Sequence, residues 1–243
     1  MARLATTGAL LLTCGLVHSD WAPPVCTGTD YSSCTGGDPS GLIERDGIYF
    51  TFVTASGGGE AFSMRYMNDS SGWRMGPEYY TVTGMGWVDE YLPTKIMGCE
   101  GGPCGFWAPD VGGYDKPSDS TSSTKVTMYY SIADYVASTA MCVGVATADW
   151  ALDSEGVPSL EWEDAGQPVV CGKLANDTAV DGFTNGGPHP IDPSFTVDDT
   201  GNMWLTLGSW SEYGDGAHEG ARGGGVWMVQ LDAQTGLLGA DAL

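Results

Sequence analysis

The chain has 243 residues, of which 31 are Asp or Glu and only 9 are Lys or Arg, giving a formal charge of −22. That length holds one large or two small domains. Charge this negative excludes nucleic acid and anionic membrane surfaces as partners, since both are gripped by clustered cations, and it suits a ligand that is itself neutral.

The N-terminus opens with Arg3, an apolar run over residues 4–17, and the small-residue site Val17-His18-Ser19. This pattern predicts a secretory signal over residues 1–19, too short to span a bilayer, and a soluble, secreted mature chain over 20–243. Cys14 would leave with the leader. Six cysteines remain: Cys26, Cys34, Cys99, Cys104, Cys142 and Cys171. In an oxidising compartment they read as disulfides, and Cys26–Cys34, Cys99–Cys104 and Cys142–Cys171 are the simplest of the 15 connectivities. A zinc site would want a Cys-x-x-Cys, and none occurs. Asn68-Asp69-Ser70 and Asn176-Asp177-Thr178 are glycosylation acceptors consistent with export.

From Gly37 onward the pattern is one of short hairpins, with no sustained 3.6-residue apolar period. "GDPSGLIERDGIYFTFVT" (37–54) sets Ile48, Phe50 and Phe52 against Tyr49, Thr51 and Val53, after an Asp46-Gly47 turn. "AFSMRYMN" (61–68) is a further strand. "GFWAPDV" (105–111) precedes a polar loop, "DKPSDSTSST" (115–124). Next, "TKVTMYYSIA" (124–133) alternates Val126, Met128 and Tyr130 against Thr127 and Tyr129. "AMCVGVATADW" (140–150) and "LEWEDAGQPVV" (160–170) are strand-like. "IDPSFTVDDTGNMWLTLGS" (191–209) is a second hairpin with an Asp-Pro-Ser start, turning at Asp199-Thr200-Gly201.

Three of these hairpins begin with an aspartate beside a proline: Asp38, Asp110 and Asp192. Their spacings are 72 residues (38 to 110) and 82 residues (110 to 192). About four short strands fit into one such period, which is the content of a propeller blade. An all-β propeller results, with about three blades in this chain. The first strand of each blade lines the axis, so the three aspartates are expected to converge at one end of it.

These residues resemble glycoside hydrolase family 43, and within it the secreted endo-α-1,5-L-arabinanases. The likeness rests on an ordered series: "DPSGLIERDGIYFTF", "GFWAPDV", "VTMYYSIA", "CVGVATADW", "IDPSFTVDDTGNMWLTLGS" and "GGVWMVQLDAQTG". It implies a five-bladed propeller and inverting hydrolysis of α-1,5-arabinan, a neutral plant polysaccharide. It also implies that Asp38 is the general base, that Asp192 orients the acid and tunes its pKa, and that Trp107 stacks on sugar. The general acid of the family is a glutamate in a Glu-(Gly/Ala)-Pro signature opening the fourth blade. After "VWMVQLDAQTGLLGADAL" the sequence stops short of that motif, so the acid and the last two blades are expected to be absent from this chain. Glu219, in "HEGARGGG", precedes its strand rather than following it and fits a Gly-rich loop better than the acid's place. The family's central ion is held by residues from that same missing part, so no metal ligand or cofactor is assigned.

Inversion needs a carboxylate to activate water while a carboxylic acid protonates the leaving oxygen, the two standing roughly 6.5–9.5 Å apart. A second carboxylate beside the acid raises its pKa by like-charge repulsion. Each aspartate also has a plain reading as a turn residue, because Asp before Pro is common in turns. Asp110 either walls the pocket or fixes a turn through backbone amides. Trp107 either faces sugar or packs between blades, and Ser209 and Ser131 either bond sugar hydroxyls or simply end strands. Three functions stay open: an endo-arabinanase, an exo-acting α-L-arabinofuranosidase or β-xylosidase, and an inactive carbohydrate-binding fragment. For each the chain is expected to be a monomer acting on cell-wall polysaccharide, without nucleic acid or membrane partners.

Overall fold

In the computed structural model the turn at Asp46-Gly47 takes φ of 52° and 76°, the paired positive values whose twist matches that of the strands they join. It folds β1 (Ile43–Arg45) back on β2 (Ile48–Thr54), with Ile43 opposite Phe50. The structure describes residues 37–54, 62–68, 72–79, 85–88, 106–112, 125–134, 140–171, 190–209 and 226–239. The leader over 1–19, Cys26, Cys34, Cys99, Cys104, the 115–124 loop, the acceptor at 176–178, most of that at 68–70, and Glu219 lie outside the described residues.

The remaining strands are β3 (Phe62–Met67), β4 (Arg74–Tyr79), β5 (Phe106–Gly112), β6 (Lys125–Asp134), β7 (Ala140–Asp149), β8 (Glu163–Asp164), β9 (Val170–Cys171), β10 (Pro190–Val197), β11 (Met203–Ser209) and β12 (Val226–Leu231). They form three antiparallel sheets in chain order: β1-β2-β3-β4, then β5-β6-β7-β8 with β9 also on β7, then β10-β11-β12. The described architecture is therefore all-β, built as successive meanders. Strands β8 and β9 lie along the same edge of β7, one opposite Ala146 and Thr147, the other opposite Cys142 and Val143. Together they make one interrupted outer strand. Cys142 and Cys171, directly opposed in that register, form the expected disulfide, with Cα atoms 4.0 Å apart.

The middle sheet is buried on both faces, and the alternation along its strands divides its side chains between two cores. Val126, Met128, Tyr130 and Ile132 point towards Phe50, Phe52, Phe62 and Met64 of the first sheet. Tyr129, Val143 and Val145 point the other way, to Met203, Leu205, Leu207, Val229 and Leu231 of the third. Each large apolar side chain fully removed from water is worth roughly 1.5–3 kcal/mol, so the stack itself is the main cohesive force. Phe62, Phe106 and Tyr130 converge with ring centroids 5.2–5.8 Å apart, Phe62 meeting Phe106 edge to face and Tyr130 tilted against both. Gly144 lies opposite Tyr130, where a Cβ would overlap the phenol ring.

One buried polar group locks this core. Asp164 accepts hydrogen bonds from Tyr130 Oη (2.6 Å), Trp87 Nε1 (2.8 Å) and the Gly166 amide (2.7 Å). Burial nevertheless outweighs those bonds and raises the Asp164 pKa, and burial together with the Asp164 charge holds Tyr130 well above the ordinary phenol value.

Candidate active site at the pre-proline bulges

The inner strands of the three sheets share one irregularity. Pairing of β5 with β6 slips between Trp107 and Asp110, and pairing of β10 with β11 slips between Ile191 and Ser194. In the first sheet Gly37 bridges Thr54, and the Ser40 amide donates to the Phe52 carbonyl at 2.8 Å, so Asp38 and Pro39 stand out of the ladder. Each slip contains a residue followed by proline. Proline has no N–H to give the ladder, and it keeps the preceding residue out of the right-handed helical region. That preceding residue takes positive φ in all three sheets: 46° at Asp38, 43° at Ala108 and 53° at Asp192. Such a conformation costs a non-glycine residue about 1–2 kcal/mol and collects at functional positions.

This equivalence revises the expected repeat. Asp38 and Asp192 correspond, but Ala108 holds the matching place in the second sheet. Asp110 sits two residues further on, level with Ser40 and Ser194, so two aspartates rather than three carry the repeated geometry. The Asp110 carboxylate accepts from the Gly41 amide through Oδ1 (3.3 Å) and from the Phe195 amide through Oδ2 (2.6 Å). It thereby ties the inner strands of all three sheets together. The amide-bonding alternative describes what its oxygens do in this structure.

Asp38 is exposed, and its Oδ2 accepts a hydrogen bond from Thr54 Oγ1 at 3.1 Å. The same Thr54 oxygen accepts the Ala108 amide at 2.9 Å. One sheet later the arrangement recurs, where the Asp192 amide donates to Ser131 Oγ at 3.1 Å. Ser131 is completely buried and lies opposite Trp107, as Thr54 lies opposite Gly37. The amides of Ala108 and Asp192 are thus each held by a hydroxyl from the preceding sheet, whereas Asp38 is bonded through its carboxylate by a hydroxyl of its own sheet. Asp192 is solvent-exposed at its surface, yet the protein atoms packed around its carboxyl raise its pKa, and the charge of Asp38 raises it further. The two carboxyls, far apart in sequence, therefore stand near enough to repel each other at one end of the stack.

Trp107 is half-buried against Met141 and Ile191, the neighbour of Asp192. That contact makes it part of the packing between the second and third sheets. Ser209 pairs through its backbone with Pro190, and its side chain lies outside the described residues. Nothing in the sequence marks Thr54 as part of this site beyond its being a hydroxyl residue that closes the strand after an Asp-Pro hairpin. Among the described residues no group of three His, Cys, Asp or Glu side chains could hold a metal ion.

No protein-family model matches the chain. Several solved structures do resemble it. The native arabinanase Arb43A of Bacillus subtilis is 21% identical, over 86% of this chain and 56% of its own, with a TM-score of 0.54. An endo-1,5-α-L-arabinanase from Thermotoga petrophila is also 21% identical, over 85% of this chain and 40% of its own, at 0.49. A xylan β-1,4-xylosidase from Bacillus halodurans is 19% identical, over 84% and 30%, at 0.49. The chain has the fold of the B. subtilis protein and spans little more than half of that protein's length.

Proposed function

We propose that this chain belongs to glycoside hydrolase family 43 and carries the general base and its neighbouring carboxylate of a secreted enzyme that cleaves α-1,5-linked arabinan with inversion of configuration. The observation that carries the reading is the electrostatic coupling of Asp38 and Asp192 across separate sheets, each aspartate on the same strained pre-proline bulge. The motif series and the arabinanase fold support the same conclusion. The three stacked sheets correspond, in this reading, to consecutive blades of a five-bladed propeller.

Asp38 is the general base. Exposed and oriented by Thr54, it takes a proton from the water that attacks the anomeric carbon. Asp192 is a carboxylate neighbour that orients the general acid and keeps it protonated by repulsion. The acid itself, a glutamate in the family, is assigned to none of the described residues. Trp107 is the aromatic residue that stacks on the sugar beside the bond to be broken. The neutral polysaccharide suits a chain of charge −22, because no ionic attraction is needed to hold it.

For the whole protein, linear arabinan is the test substrate. Release of short arabino-oligosaccharides, reduced on the order of 10²- to 10⁴-fold in kcat/KM by Asp38→Asn, is the expected result. Release of xylose from xylan with none from arabinan would overturn the substrate assignment. Full activity in the variant would overturn the role of Asp38.

A further inference from the structure

We propose that Thr54 is a positioning residue for Asp38, fixing which carboxylate oxygen faces the attacking water. This rests on the reading of Asp38 as the base. The argument is one of proton accounting. A hydroxyl has one hydrogen, and Thr54 Oγ1 already receives a hydrogen bond from the Ala108 amide at 2.9 Å. The amide N–H can only donate and takes one of the oxygen's two lone pairs, while the carboxylate accepts, so the single hydroxyl hydrogen goes to Asp38 Oδ2 at 3.1 Å. Ala108 is buried, so its amide has little water to turn to instead. The direction of the Thr54 O–H is therefore set from behind by the second sheet.

The residue that delivers this bond is itself held. Thr54 exchanges backbone hydrogen bonds with Gly37, donating at 3.0 Å and accepting at 3.4 Å, and Gly37 is the residue immediately before Asp38. A β-branched side chain on an extended strand has few χ1 choices, so the hydroxyl is pre-aimed. With Oδ2 engaged, Oδ1 is the oxygen presented for proton transfer.

The other two sheets separate this function from a requirement of the fold. Ser131 occupies the matching register position and holds the Asp192 amide, but the pre-proline residue of its own sheet is Ala108, which has no carboxylate to orient. In the third sheet the matching position, opposite Ile191, is Gly208. The ladder itself does not demand a hydroxyl there. Of these three matching positions, only Thr54 sets one oxygen between a neighbouring sheet's amide and a carboxylate.

The test compares Thr54→Val, which keeps the shape and loses the hydroxyl, with Thr54→Ser, which keeps the hydroxyl, in the full 243-residue chain. The direct readout is the χ1 rotamer of Asp38 from three-bond NMR couplings, alongside thermal melting and, on arabinan, kcat and KM. The expected outcome is one Asp38 rotamer in the unaltered chain and in Thr54→Ser, and rotamer averaging in Thr54→Val. In Thr54→Val kcat falls about ten- to a hundredfold, the equivalent of one hydrogen bond to a charged group, with KM little changed. An Asp38 rotamer indifferent to Thr54→Val would overturn the inference, as would a Thr54→Ser variant as impaired as Thr54→Val. Should the unaltered chain leave arabinan intact while Asp38 responds as stated, the positioning stands and the proposed reaction is what fails.

Discussion

Asp38 and Asp192 reach the same place by the same local device, a left-handed residue locked against the proline that follows it. The device explains why each aspartate projects from its strand instead of lying in the ladder. Their proximity has a measurable consequence. Asp192 holds its proton to higher pH than an ordinary aspartate, first because it is partly desolvated and second because Asp38 is negative. Removing that negative charge with Asp38→Asn should lower the Asp192 pKa, though not fully to the ordinary value, since the desolvation remains. Carboxyl carbon titration by NMR reads this directly. An Asp192 midpoint unchanged by the substitution would show that the two groups are not neighbours.

The elements follow the same economy of short polar side chains. In the β10–β11 hairpin, Asp198 accepts hydrogen bonds from the Thr200 amide and hydroxyl, the Asn202 amide and side chain, and Trp204 Nε1. Those bonds favour the ionised form and hold its carboxyl well below the usual carboxylate range. A depressed folded-state pKa contributes stability above the unfolded-state pKa, and that contribution fades as pH falls through the folded value. Asp198→Ala should therefore lower the melting temperature at neutral pH. The gap from the unaltered chain should narrow below about pH 4. A gap independent of pH would assign the loss to turn packing rather than to the ionised hydrogen bonds.

Strands were legible where their alternation was strong. The 2-residue period of Ile48–Thr54 and of Lys125–Asp134 anticipated β2 and β6, and Asp46-Gly47 anticipated the first turn. "LEWEDAGQPVV" was less transparent. It reads as one strand-like piece but forms β8 and β9, parted by a turn with Gly166 at φ 81°. Asp164 leaves the surface pattern there because Tyr130 and Trp87, distant in sequence, bring buried donors to it.

For the whole molecule, a net charge of −22 means that each carboxylate is on average repelled by the rest, which loads the folded state with electrostatic strain. Raising NaCl from about 0.01 M to about 0.15 M shortens the Debye length from about 30 Å to about 8 Å. The urea midpoint of unfolding should rise over that range. A fall would show that attractive pairs such as Lys125–Asp149, at 3.4 Å, outweigh the self-repulsion.

The sequence by itself determined the all-β character, the succession of hairpin units and the candidacy of Asp38 and Asp192; the Cys142–Cys171 bridge, one of 15 connectivities in the sequence, was decided by the strand register. The first three are written in short-range patterns: two-residue periodicity, turn residues, and aspartate before proline. Tertiary structure alone decided that Ala108, not Asp110, is the second sheet's counterpart of those aspartates, and that Asp110 instead clamps the inner strands. It alone brought Thr54 to Asp38 and Ser131 to the Asp192 amide. The reason is physical. A hydrogen bond between sheets depends on the register and spacing of strands that the local sequence does not encode, whereas the pleat of one strand is set by its own side chains.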